Sequence, residues 1–294
     1  MDVNDIKQIT VIGAGQMGHQ IGMLCALGGF ETIIQDLNEN ALQDAEAKLQ
    51  TIMSKWVSKG KLAEDAKASA FNRLRFSTSL EESVRNSDLI IEAVTEKLEV
   101  KKEVFSNLEQ YAPPHAIFAT NSSTIVNSLI AGKTERPEKV VNMHFFFPPL
   151  VMDCVEVVMS EQTSEETAQI AMEVCKKINR TAVLLKKEIS GFVANRILGA
   201  LQKEAVALFE QGIADYKDID VICRKALNHP IGPFELMDLS GLDVAYYVMD
   251  QRYRETGDPA DKPFACVAEK VEKGELGRKT GKGWYEYHSS KIKS

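Results

Sequence analysis

The sequence predicts a doubly wound α/β domain over residues 1–187 and an all-α domain over residues 188–294. Three observations carry this reading: short β-branched runs alternate with helical segments in the first part, a glycine-rich turn separates the first run from the first helix, and strand signals nearly vanish after Ser190-Gly191.

Taken in order, residues 7–12 form a β-branched run ending in glycines, residues 21–27 read as a helix of small and apolar residues, and residues 32–35 supply a second strand. Residues 40–59, rich in Ala, Gln, Lys and Glu, predict a long helix, and the composition of residues 61–75 predicts another. A turn near Gly60 makes these two an antiparallel helical hairpin inserted into the domain. Residues 88–94, 116–120 and 139–143 are the next strands, with helices between them, which is the alternation of a mostly parallel sheet. In the second domain residues 192–211, 216–228, 241–253 and 263–273 suit helices. Phe192, Ile197, Leu198, Leu201, Ala205 and Leu208 recur at near-helical spacing, the pattern of a core-facing stripe. The boundary near Glu188 is not a Gly/Ser linker, so the two domains are expected to pack together with a cleft between them.

Composition narrows the function classes. The chain has 294 residues, 44% of them hydrophobic, with 35 Lys and Arg against 42 Asp and Glu and a net charge of −7, and it has no basic tract of the kind nucleic-acid binders carry. Cys25, Cys154, Cys175, Cys223 and Cys266 are far apart with no C-x-x-C spacing, which argues against a disulfide framework or a structural zinc and for the reducing cytoplasm. The amino terminus has no basic stretch followed by an apolar one, and no apolar run approaches the roughly 18 residues a membrane span needs. A soluble, untargeted protein is expected.

Gly13-Ala14-Gly15-Gln16-Met17-Gly18 fits G-x-G-x-x-G, and its setting gives the string its weight: a strand precedes it, a helix follows it, and Asp36 ends the next strand 18 residues after Gly18. Gly13 permits the tight turn, Gly15 lets a pyrophosphate approach backbone N–H groups at a helix N-terminus, and Gly18 lets the helix sit close to the strand. Asp36 can accept hydrogen bonds from both hydroxyls of an adenosine ribose, whereas a 2′-phosphate would meet a like charge with no arginine at positions 37–40. The reading is a Rossmann-type domain that binds NAD rather than NADP.

His144 follows a strand, and Glu156 lies in the next apolar stretch between Val155 and Val157. A carboxylate there needs a partner if its strand is internal, and an imidazole is a good one, since the pair shares a proton and fixes the ring tautomer. A polarised histidine is also the base that alcohol oxidation requires. Read alone, a histidine beside three phenylalanines is as readily a core residue, and a lone strand glutamate as readily faces water.

The glycine turn, Asn121-Ser-Ser-Thr, His144-Phe-Phe, Val155-Glu-Val, Gly191-Phe-Val-Ala-Asn195-Arg, Gly232-Pro-Phe-Glu-Leu, Gly241-Leu-Asp and Lys279-Thr-Gly-Lys-Gly-Trp-Tyr together resemble the short-chain L-3-hydroxyacyl-CoA dehydrogenases, including the bacterial 3-hydroxybutyryl-CoA dehydrogenases. The resemblance implies that His144 takes the proton of the C3 hydroxyl while hydride passes from C3 to nicotinamide C4, and that Glu156 orients His144. It implies that Ser123 and Asn195 bind the substrate, with Asn195 at the start of the second domain and the site built across the cleft. It also makes Ser123, Glu96, Lys101 and Lys279 cofactor contacts, although by residue type the last three are ordinary solvated helix charges. Lys55, Lys59 and Lys61 near Ser54 resemble the hairpin that contacts coenzyme A, and the second domain is expected to make a homodimer. One position departs from the family pattern His-Phe-Phe-Asn-Pro: Phe147 stands where a polar group is usual, with Asn142 as a neighbour able to offset it.

His19 lies close enough to the turn to approach a phosphate, and His115, His229 and His288 carry no partner pattern; no metal set is expected. Two other readings accompany the acyl-CoA one: a dehydrogenase of a free 3-hydroxy acid or carnitine-like alcohol, which Phe147 would permit, and a catalytically silent dinucleotide-binding module.

Overall fold

The first strand, β1 (Gln8–Ile12), is buried along almost its whole length, as its β-branched run requires, and it is an inner strand, third from one edge of an eight-stranded sheet. A computed structural model describes residues 2–287. The chain divides into two compact units, Met1–Phe192 and one that opens at Val193.

In the first unit the elements run β1, α1 (Gly18–Leu27), β2 (Glu31–Gln35), α2 (Glu39–Ser58), α3 (Glu64–Arg73), β3 (Leu74–Ser77), α4 (Leu80–Val84), β4 (Leu89–Glu92), α5 (Leu98–Tyr111), β5 (Ile117–Thr120), α6 (Ser128–Ala131), β6 (Val140–Phe145), β7 (Cys154–Val158), α7 (Glu165–Lys177) and β8 (Thr181–Leu185). The sheet order is β3-β2-β1-β4-β5-β6-β7-β8, and every pairing is parallel except β6 with β7. The order reverses direction at β1 and β4, so the loops after the carboxyl ends of those strands open at the switch point where doubly wound sheets bind ligands. Apolar side chains of the sheet pack on α1, α2 and α7 on one side and on α4, α5 and α6 on the other.

The hairpin of α2 and α3 reverses at Gly60, which has a φ of +67°. Asn38 caps α2, its side chain accepting from the Asn40 and Ala41 backbone N–H groups. The sequence reading carried helix through residue 75, but the helix stops at Arg73 and Leu74–Ser77 pairs with β2 as an edge strand. Burial of Leu74 beside β2 overrides a helical composition there. Strand β8 was likewise not anticipated; it sits on the opposite edge with most of its side chains exposed, so it lacks the apolar signature of the inner strands.

The second unit is helical, with α8 (Phe192–Glu210) running into it, followed by α9 (Tyr216–Lys225), α10 (Pro233–Ser240), α11 (Leu242–Thr256) and α12 (Ala265–Glu272). Its core gathers Phe209, Tyr216, Phe234 and Trp284, with ring centroids 4.6–6.1 Å apart. Two buried aspartates staple it. Asp220 accepts from the Phe234 and Glu235 N–H groups and the Tyr285 hydroxyl, while Asp238 accepts from the Trp284 and Tyr285 N–H groups and the Tyr287 hydroxyl. The apolar stripe expected on α8 is only partly core: Phe192 and Ala205 are buried, but Ile197 is 66% exposed.

Candidate active site

Three glycines of the turn after β1 stand in different surroundings. Gly13 has a φ of +101°, and a Cβ there would lie 2.8 Å from the Ala93 carbonyl oxygen; a Cβ on Gly18 would collide with the Gly13 carbonyl. Both are therefore fixed by packing. Around the Cβ position of Gly15 nothing lies within 4 Å, and Gly15 and Gln16 are exposed while Ala14 is buried and Met17 half-buried. The turn thus offers open backbone at the start of α1, the surroundings a pyrophosphate needs.

Asp36, directly after β2, touches this turn. Its Oδ2 accepts from the Ala14 N–H at 2.8 Å and its Oδ1 from the Asn38 N–H at 2.9 Å. A carboxylate offers about four acceptor sites, so both oxygens can still accept from ribose hydroxyls. His19 is buried with its Nδ1 2.5 Å from the Gly15 carbonyl oxygen. Burial holds its imidazole below the ordinary value despite that bond, and its place is under the turn.

On the far side of the switch point, β6 and β7 place His144 and Glu156 directly opposite each other in antiparallel register. His144 Nδ1 is 2.8 Å from Glu156 Oε2, and both residues are 3% exposed. Strand β7 lies between β6 and β8, so it is internal, the condition under which its glutamate requires a partner. Phe146 and Phe192 flank the imidazole at centroid distances of 4.6 and 5.4 Å. With the carboxylate accepting from Nδ1–H, Nε2 is the basic nitrogen, and it has no protein partner among the described residues. The pair can take a proton from a ligand and hold the resulting positive charge.

Ser123 lies on the loop after β5, and Glu96 organises that loop. Glu96 Oε1 accepts from Ser122 Oγ at 2.5 Å, Ser123 N at 2.9 Å, and Thr124 N and Oγ1 at 3.0 Å each. Burial alone would raise the Glu96 carboxyl, but Lys101 and these donors outweigh it and hold it below its ordinary value. Lys101 is not the solvated charge that its residue type suggests: it is 1% exposed, with Nζ 2.8 and 3.0 Å from the two oxygens of Glu92 and 3.2 Å from Glu96 Oε2. Its donors face those two carboxylates, so the structure gives it a place in support of Glu96 rather than a surface open to a ligand.

In the second unit Asn195 is half-buried on the first turn of α8. Lys279 is 47% exposed and pairs with Asp243, its Nζ 2.5 and 2.6 Å from the two carboxylate oxygens. Burial opposes ionisation of Asp243, yet Lys279 prevails and holds that carboxyl low. Lys55, Lys59 and Lys61 are exposed along the hairpin with Ser54. Phe147 is 58% exposed on the loop after His144. Asn142, the neighbour suggested as its offset, is fully buried on β6; its Nδ2 donates to the Ser122 carbonyl at 3.3 Å and its Oδ1 has no partner among the described residues. His288 lies outside the described residues. Among the described residues no group of three or more His, Cys, Asp or Glu is placed to hold a metal ion, and no helix is long and apolar enough to cross a membrane.

The sequence gives no role to Glu92 or Thr120, and names Asn121 only as the start of a motif. Asn121 Oδ1 accepts from the Phe145 N–H at 2.9 Å, tying the Ser123 loop to the strand of His144. The signal for Glu92 was present, since it is an acid in the apolar run Leu89-Ile-Ile-Glu, the same circumstance that singled out Glu156.

Comparison with known proteins bears on both units. Residues 8–189 match the family model described as 3-hydroxyacyl-CoA dehydrogenase, NAD binding domain, and residues 191–287 match the model of the C-terminal domain. A probable 3-hydroxybutyryl-CoA dehydrogenase of Bacillus subtilis is 38% identical over 283 residues, covering 96% of this chain and 98% of its own. The human mitochondrial hydroxyacyl-coenzyme A dehydrogenase is 34% identical over 289 residues, covering 96% of this chain and 91% of its own. Among solved structures, the (S)-3-hydroxybutyryl-CoA dehydrogenase of Ralstonia eutropha superposes with a TM-score of 0.91 at 35% identity, covering 97% of this chain and all of the other.

Proposed function

Because the chain belongs to the 3-hydroxyacyl-CoA dehydrogenase family, with its NAD-binding and C-terminal domains both present, we propose that it oxidises the C3 hydroxyl of a short (S)-3-hydroxyacyl-CoA, such as 3-hydroxybutyryl-CoA, to the ketone, and catalyses the reverse reduction. The observation that carries this reading is the buried His144–Glu156 pair at 2.8 Å. His144 Nε2 accepts the hydroxyl proton as the C3–H bond gives up its hydride and the C–O bond becomes a carbonyl. Glu156 holds the ring by its other nitrogen and stabilises the imidazolium that results. Bound NAD supplies the acceptor for the hydride.

Gly13, Gly15 and Gly18 with Asp36 would hold the dinucleotide, the open surroundings of Gly15 and the two half-engaged oxygens of Asp36 being the features that fit it. Ser123 and Asn195 are assigned to the substrate, and Glu96 and Lys279 to the cofactor. The same reading makes the protein a cytoplasmic homodimer joined through its second unit. Exposed Val193 and Ile197 on α8 and Tyr247 and Val248 on α11 support an apolar contact face, and five unbonded cysteines support a reducing compartment. A net charge of −7 favours neither nucleic acid nor an anionic membrane as partner.

Initial rates with 3-hydroxybutyryl-CoA and with free 3-hydroxybutyrate, each with NAD and NADP, test the proposal. The thioester with NAD is expected to give the highest rate. A higher rate with the free acid would replace the acyl-CoA assignment with the hydroxy-acid one that Phe147 permits, and no turnover with either would leave a silent dinucleotide-binding module.

A further inference from the structure

Glu92 is a fully buried carboxylate at the end of β4 that takes no part in the proton transfer assigned to His144 and Glu156. A charge in that position is costly unless its oxygens are matched. Here they are: Oε1 accepts from the Val94 N–H at 2.7 Å and Lys101 Nζ at 2.8 Å, and Oε2 from Thr120 Oγ1 at 2.7 Å and Lys101 Nζ at 3.0 Å. Filling the end of a strand does not call for such a pair, because well-packed hydrocarbon in place of a buried ion pair is often equally or more stable.

Two routes lead from this carboxylate to the loop of residues 122–124, one reaching Ser122 and the other all three residues. The first runs through Thr120, whose Oγ1 also accepts from the Ser122 N–H at 3.2 Å. The second runs through Lys101 to Glu96 Oε2 at 3.2 Å, and Glu96 Oε1 then gathers Ser122, Ser123 and Thr124. The hydroxyls of Ser122 and Thr124 are occupied by Glu96, whereas the Ser123 hydroxyl has no protein partner among the described residues. Of three adjacent hydroxyls, the network thus leaves one available.

We infer that Glu92 is a positioning residue for the Ser123 hydroxyl, acting through Thr120 on one side and through Lys101 and Glu96 on the other. The inference rests on the assignment of Ser123 to the substrate. It adds a function for the buried charge pair that filling the fold does not require.

The test is a double-mutant cycle on kcat/KM with 3-hydroxybutyryl-CoA and NAD, using Glu92→Gln, Ser123→Ala and the double variant, together with hydrogen exchange of the peptide spanning residues 120–126. Glu92→Gln is expected to lower kcat/KM about tenfold in the native background and less than about twofold when Ser123 is already alanine, because both substitutions remove one interaction. Exchange at residues 122–124 should quicken in Glu92→Gln while α9 exchanges as before. Additive losses in the cycle, or unchanged exchange at residues 122–124, would overturn the inference. Absence of turnover in the native protein would instead overturn the substrate assignment, and the exchange measurement would still decide the role of Glu92. Should Glu92→Gln fail to fold, Thr120→Val severs one route with the ion pair left intact, and the same cycle and exchange readouts apply.

Discussion

Two strands of one sheet each bury a glutamate among aliphatic neighbours, and the partner decides what each can do. On β4, Glu92 meets an ammonium that also reaches Glu96, and the product is an anchor whose bonds fix a loop. On β7, Glu156 meets an imidazole whose second nitrogen faces no protein partner among the described residues, and this is the pair to which we assign the proton transfer. A buried acid therefore marks a site without saying which kind; a partner able to exchange its proton near neutrality distinguishes chemistry from scaffolding.

The sharpest break between the two pairs comes from removing each partner. His144→Gln is expected to lower kcat by about 10³- to 10⁴-fold while NADH affinity, followed by fluorescence titration, stays within about twofold. Near-native turnover in that variant would move the base elsewhere. Lys101→Met should show the opposite character, a stability loss of about 3–5 kcal/mol in denaturant unfolding from the charge left buried on Glu92, with most of it recovered when Glu92→Gln is added. A loss below about 1 kcal/mol would mean that Glu92 finds another way to be satisfied.

Carboxylates nearer to solvent extend the comparison. Asp36 is half-buried at a strand end, and Asp36→Ala should weaken NADH more than NADPH, changing the ratio of the two dissociation constants about tenfold. An unchanged ratio would remove the basis for preferring NAD. The smallest effect is expected from Glu96, whose side chain is 40% exposed. Its carboxyl is held below its ordinary value of 4.5, net of a burial effect in the other direction, by Lys101 and by the hydrogen bonds of Ser122 and Thr124. A depressed folded-state value stabilises the protein fully above pH 4.5 and loses that contribution as pH falls through the lower folded value. Glu96→Gln should therefore make the acid limb of the stability profile shallower, and an identical limb would show that the loop does not depend on that charge.

The cofactor half of the molecule was legible because it is local: strand, glycines, helix and Asp36 fall within residues 8–36, and Gly13 and Gly18 answer to close approaches within that stretch or beside it while Gly15 stands open. The helical hairpin was legible for the same reason. Strand β3 was not, since Leu74 and Phe76 give only one turn of alternation and the pairing with β2 that makes them a strand is remote in sequence. Helix α10 escaped because Gly232-Pro233 reads as a turn, although the proline occupies the first helical turn. Of the site residues, His144 and Glu156 were tied together by the cost of burying an acid. Lys101 was mistaken in character, for nothing in Lys97-Leu-Glu-Val-Lys-Lys tells which lysine turns inward toward a strand nine residues back. Ile197 shows the limit of periodicity, which locates an apolar face without saying what covers it.

The antiparallel step from β6 to β7 ties the assigned pair to a hydrogen-bonded ladder, since the register sets His144 opposite Glu156. Within the connecting residues 146–153, Phe146 packs on the imidazole and Leu150 is buried, whereas Phe147 and Val151 are exposed. Evolution can accordingly recolour those two exposed positions while the pair on the strands stays in place. Change at the exposed tip of the link and constancy in the weave of two neighbouring strands are in this way separable demands on the sequence.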